Sequence, residues 1–250
     1  MVTLPRSARL AAWSAAWLRG TVSIDDVVAR VQADDEPHTA AGLPGLTGTA
    51  SLNEALWELR KTGVTGLRVV LPAPGDPRGL GGPADLNGHV IDAGEALLTV
   101  GAPYALVPDV QAFGPPGDQG HFVTWHCHHA DPPPAGPDLA EAERAMTTAL
   151  LDASTALTQL DIASWRPEVD ALLDDVRSNR EAEPLPRGFP AQAQTIAARG
   201  ARLLAVVEFA LDDDGTALSV AVAQSRRAAL TTLGHTARHA LVAACNVWSP

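Results

Sequence analysis

Apolar positions recur at helical spacing through the first sixty residues. Leu10, Trp13 and Trp17 form one stripe that Gly20 is placed to stop. Ile24, Val27, Val28 and Val31 form a second stripe behind Ser23, a good N-cap. Ser51, Leu52, Asn53 and Glu54 spell a capping box. Leu52, Leu56 and Leu59 make an apolar face beyond it, and Gly63 is suited to end the helix. From Gly66 onward the pattern shortens into β-rich runs at 67–71, 89–92, 96–100, 104–107 and 121–128, divided by Gly and Pro. Connections this short leave no room for crossover helices, so the sheet is expected to be mainly antiparallel.

The pattern changes at Pro132, Pro133, Pro134, Ala135, Gly136 and Pro137, a stiff run that excludes helix. Beyond it the helical period dominates. Leu139, Met146, Leu150, Leu157 and Leu160 mark a long first helix, and Pro167 suits the first turn of a second carrying Val169, Leu172, Leu173 and Val176. A third is expected around 192–211, and one or two more between Leu218 and Val247 with a break at Gly234. Frequent alanine lets helices approach closely. The expected fold class is α+β: N-terminal helices plus a mainly antiparallel sheet over 1–131, a Pro-rich linker over 132–137, and an Ala-rich C-terminal helical bundle over 138–250.

Composition narrows the function. The 250 residues carry 18 basic and 29 acidic side chains, a net charge of -11, with 46% hydrophobic and 4% aromatic residues. Both halves are acidic and neither holds a basic stripe, which argues against nucleic acid as a partner. Cys127 and Cys245 form neither a disulfide framework nor a CxxC pair, and they fit a reducing cytoplasm. The longest apolar stretch, 203–211, contains Glu208 and falls far short of the ~20 residues that span a bilayer, so no membrane segment is expected. Arg6 and Arg9 before the apolar run 10–18 imitate a secretory leader. The two tryptophans, the immediate Arg19 and the lack of a small-x-small site favour a mature amphipathic helix instead.

The succession SLNEALWELR, GLRVVLPAPGDPRGLGG, WRPEV and ALVAACN resembles, over the whole chain, a family of uncharacterised actinobacterial proteins. The resemblance implies a bacterial housekeeping or regulatory setting and assigns no activity and no functional residue.

Histidine is the one compositional hint of chemistry, for four of the eight fall in the segment from His121 through His126 and His128 to His129. On a strand, side chains alternate. Phe122, Thr124, His126 and His128 then share one face, while His121, Val123, Trp125, Cys127 and His129 share the other. His126 and His128 would lie ~6.6 Å apart at Cα, close enough for two imidazoles to converge on zinc or another divalent transition metal. A catalytic site needs about three protein ligands, so His121 and His89 are the candidate additional ligands, with Asp92 beside the latter. Gly120, His126 and His128 also match the first half of the cupin pattern, but no glutamate follows in place and the helical half departs from a jelly roll. A solvated sheet face, with Val123 and Trp125 turned to the core, is the simpler reading of the cluster.

The remaining motifs weaken on inspection. His235 and His239 are spaced as on a zincin helix, yet Thr236 stands where that motif needs glutamate. Gly79 to Ala84 spell GxGxxA but lie well past the preceding strand and ahead of another expected one, which leaves a mobile loop. Asp212, Asp213, Asp214 and Gly215 lack side-chain ligands in EF-hand register. Asp34, Asp35, Glu36 and His38 read as a solvated polar cluster. Cys127 beside its histidines raises an activated thiolate, but only His121 and His129 share its face, which argues against a Cys/His dyad.

The reading is of a non-catalytic binding or scaffolding protein with a protein partner or self-association, open to a small-molecule ligand. It assigns no catalytic and no cofactor-binding residue. The alternative is a metal-dependent hydrolase centred on His126 and His128, in which the metal would generate hydroxide from bound water.

Overall fold

The fold is that of a computed structural model, which describes residues 2–115, 118–159, 183–212 and 220–248. The expected helix behind Pro167 and residues 213–215 of the acidic stretch lie outside the described residues. The chain divides into two compact units, one of residues 5–136, 185–189 and 245–250, the other of residues 1–4, 137–184 and 190–244.

The first unit contains α1 (Arg6–Leu18), α2 (Ile24–Gln32), β1 (Thr39–Ala41), β2 (Thr49–Ser51), α3 (Leu52–Lys61), β3 (Gly66–Val70), α4 (Ala84–Ala93), β4 (Ala96–Val100), β5 (Tyr104–Phe113) and β6 (Gly120–His129). Ser23 and Ser51 each close a capping box, with Asp26 and Glu54 bonding back to the serine N–H, so both helices start where the local sequence dictates. Helix α1 is buried around most of its circumference, from Ser7 to Trp17, rather than along one stripe. The strands form one sheet in the order β2-β1-β6-β5-β4-β3. Every neighbouring pair is antiparallel except β1 and β6.

Residues 89–92 are not a strand but the second half of α4. Leu86 and Val90, one helical turn apart, bury together against Ala96, Leu98, Ala105 and Val107 of the sheet, and that packing overrides the β-branched Val90 and Ile91. Gly94 ends the helix in the left-handed conformation at φ 71. A helix therefore does separate β3 from β4, although the two strands remain antiparallel.

The second unit contributes α5 (Leu139–Gln159), α6 (Ala191–Asp212) and α7 (Val220–Cys245). Helix α7 runs unbroken through Gly234, where the expected stop fails because the glycine serves packing. A Cβ there would lie 3.1 Å from Val207 Cγ1 of α6, and one at Gly200 of α6 would lie 3.1 Å from the Ala237 carbonyl oxygen of α7. Among the described residues no helix is long and apolar enough to cross a membrane.

Candidate functional site

Strand alternation and register build a cleft at the rim of α4. On one face, Ala105, Val107 and Asp109 of β5 stand opposite His128, His126 and Thr124 of β6. Helix α4 covers the inner part of this face and packs on Ala105 and Val107. An open cleft of about 630 Å³ remains, lined among others by His89, Asp92, Asp109, Val107, His126 and His128. His126 is exposed and His128 half-buried. His89 reaches over from α4 so that its ring centroid lies 5.1 Å from that of His128, with the planes tilted by 34°. Burial, reinforced by His89 and then His126 as neighbouring bases, holds the His128 pKa below its ordinary value of 6.5.

The histidines of the cluster thus separate. His126, His128 and His89 meet in the cleft, with Asp92 beside them. His121 does not, because odd-numbered β6 side chains point to the other face, and its Nδ1 lies 3.4 Å from Asp35 Oδ1. A shared site of His121 with His126 and His128 is therefore corrected by the sheet geometry. Among the described residues no group of three His, Cys, Asp or Glu side chains is arranged to hold a metal ion.

On the opposite face lies a polar network that local sequence conceals. Asp35, expected at a solvated surface, has a side chain only 7% exposed, and His38 is fully buried. Arg6 binds the carboxylate at both oxygens, Nε to Oδ2 at 2.8 Å and an η nitrogen to Oδ1 at 2.7 Å. His38 Nε2 lies 3.2 Å from Asp35 Oδ2, and the Trp125 indole N–H donates to His38 Nδ1 at 3.2 Å. Burial pushes the Asp35 carboxyl up, but the hydrogen bond and charge of Arg6, followed by those of His38, outweigh it and leave the pKa below 3.8. Burial dominates at His38 and lowers its pKa from 6.5 against the pull of Asp35.

Other candidates resolve into structure. The Gly79–Ala84 segment leads into α4 rather than a strand, and it is pinned rather than open. Gly82 N–H donates to Asn87 Oδ1 at 3.2 Å, Asp131 N–H donates to the Gly82 carbonyl at 3.2 Å, and Leu80 packs on the core under α4. The strand that follows is antiparallel to β3, so no parallel dinucleotide-binding unit forms. Burial pushes the Cys127 thiol up to about 11, so it is not an activated thiolate. His235 and His239 are half-buried on α7.

Residues 7–139 match the family described as Rv1486c-like protein, N-terminal domain, and residues 140–242 match Rv1486c-like protein, C-terminal domain. The chain belongs to the Rv1486c-like family. Two uncharacterised proteins of Mycobacterium tuberculosis, MT1533 from strain CDC 1551 / Oshkosh and Rv1486c from strain ATCC 25618 / H37Rv, are relatives. Each is 27% identical over 245 residues, covering 80% of this chain and 81% of the relative. The expected resemblance to an uncharacterised actinobacterial family thus agrees with the Rv1486c-like match. No solved structure matches the chain.

Proposed function

We propose that this Rv1486c-like protein is a non-catalytic binding or scaffolding protein whose recognition surface is the cleft beside α4 and the sheet face that continues from it. The observation that carries the reading is the continuity of that face. Beyond the cleft, Phe122 of β6 and Phe113 of β5 stack at 4.5 Å between ring centroids while remaining 52% and 38% exposed. Ordered, exposed aromatic side chains beside a polar cleft are the usual anchors of a protein interface. The test is a broad hydrolase and oxidase screen on purified full-length protein. Absence of turnover is expected. Turnover that disappears in His126→Ala would defeat the binding reading.

One observation favours a second reading, a metal-dependent hydrolase at His126 and His128 with His89. Two imidazoles on one tetrahedral zinc, with Zn–N of about 2.0–2.1 Å, place their ring centroids about 5 Å apart, and His89 and His128 lie at 5.1 Å. Zinc or another divalent transition metal bound there would polarise water, with Asp92 or Asp109 available across the cleft. Elemental analysis of protein purified without an affinity tag decides it. Less than about a tenth of an equivalent of metal, with no metal-induced rise in melting temperature, removes this reading.

A further inference from the structure

The sheet treats its edges unequally. Strand β2 is three residues long. The outer edge of β3 is capped at Val69 by Asn246, whose side-chain oxygen accepts from Val69 N–H at 2.9 Å and whose amide nitrogen donates to the Val69 carbonyl at 3.0 Å. Strand β5 is different. Strand β4 pairs with it only at Leu106 and Ala105, so residues 108–113 have β6 on one side and, among the described residues, no strand on the other.

Which groups this edge presents follows from parity. Tyr104 N–H donates to Thr99 Oγ1, and the Tyr104 carbonyl accepts from the same hydroxyl, so the backbone of even-numbered β5 residues points away from β6. Pro108, with no N–H to give, sits in that parity, as a proline in an edge strand must. His121, opposite Ala112, agrees, because its carbonyl turns away from β5 to accept from Glu36 N–H at 2.9 Å. The free edge therefore offers the N–H and C=O of Val110 and of Ala112.

We infer that this edge pairs with the same edge of a second copy, antiparallel and two-fold symmetric about Gln111, joining the two sheets. In that register Val110 of one copy faces Ala112 of the other, and each pair exchanges two backbone hydrogen bonds, so the outward N–H and C=O of both residues find partners in an identical strand. Gln111 then stands directly opposite itself. An identical strand meets this edge with the same uncharged residues, Val110, Gln111, Ala112 and Phe113, so the pairing sets no like charges against each other. Charge offers no obstacle, since Asp109 is the sole ionisable residue between 108 and 113 and accepts from Gln111 Nε2 at 2.9 Å. No lysine guards the edge, the usual protection of an exposed strand. The neighbouring aromatic plate is already ordered. A Cβ at Gly120 would collide with the Phe113 ring, which lies over the glycine and stacks on Phe122, so little side-chain freedom is lost when it is covered.

This inference rests on the binding reading, but its test is independent of the activity screen. Full-length protein is followed by size-exclusion chromatography with light scattering between about 1 and 100 µM, with thermal melts in parallel. The wild type is expected to dimerise with rising concentration. Ala112→Pro removes an outward N–H that β6 does not use, and should raise the dimer dissociation constant at least about tenfold with the melt of the dilute monomer retained. Gln111→Lys and Gln111→Glu provide a second route through an exposed side chain. Each alone should weaken self-association through like charges on the axis, and their mixture should form heterodimers. A wild type that stays monomeric throughout overturns the inference, as does a dimer indifferent to both sets of substitutions.

Discussion

Trp125 donates its indole N–H to His38 Nδ1 at 3.2 Å, across 87 positions of sequence. An indole nitrogen is only a donor, so Nδ1 must be the unprotonated nitrogen. The proton of neutral His38 then sits on Nε2, aimed at Asp35 Oδ2. The pair fixes a tautomer, and through it the loop that carries Asp35.

Stability should therefore fall in mild acid. The folded pKa of His38 lies below the unfolded value of 6.5. In the window between the two, the unfolded chain binds more protons, so the stabilisation is complete above pH 6.5 and declines as pH drops towards the folded pKa. Asp35, Arg6 and Arg9 are the charged groups that act on the ring. Asp35 is depressed below 3.8, so its own contribution holds through this window and declines only below it. Urea midpoints measured between about pH 4.5 and 8 should fall towards acid with a slope of at most ~1.4 kcal/mol per pH unit for this one proton. A flat profile would remove the assignment.

Asp35→Asn should destabilise by about 2–4 kcal/mol. It takes the counter-charge from Arg6, which holds both oxygens. Arg9, with an η nitrogen 3.8 Å from Asp35 Oδ2, is buried beside it. Denaturant unfolding is the measurement, and an effect below ~0.5 kcal/mol would show the network to be energetically idle.

In the cleft, NMR titration should place the His128 midpoint below 6.5. His89→Ala removes a neighbouring positive charge from the protonated state, so the midpoint should move up. It should stay depressed, because burial is the larger cause.

Two glycines should respond in opposite directions. Gly200→Val forces side-chain atoms against the Ala237 carbonyl and Leu241, and should cost about 1–3 kcal/mol. Gly88, inside α4, has open space where its Cβ would stand, and Gly88→Ala should stabilise by about 0.5–1 kcal/mol. Thermal melts of both variants test the pair.

What could be read from sequence divides by distance along the chain. The Ser23 and Ser51 caps depend on residues three positions away, and they stand where the pattern placed them. Alternation on β6 correctly put His126 and His128 on one face, and it also places His121 on the other, against its candidacy as a shared ligand. Gly234 looks like a helix stop until Val207 is seen beside it, and 89–92 looks like a strand until Val90 meets the core under α4. Strands β1 and β2, with three residues each, are too short to show a period. The Asp35–His38 pair is local, but Arg6 and Trp125 reach it from 29 and 87 positions away, so its acidic loop reads as solvated in isolation.

Asn246 acts as a one-residue surrogate strand, supplying the hydrogen bonds that a seventh strand would make to Val69. It follows Val69 by 177 positions, after all three helices of the second unit. During synthesis, therefore, that edge of the sheet stays open until Asn246 has emerged. Completing the first unit thus requires the chain of the second to be made beforehand.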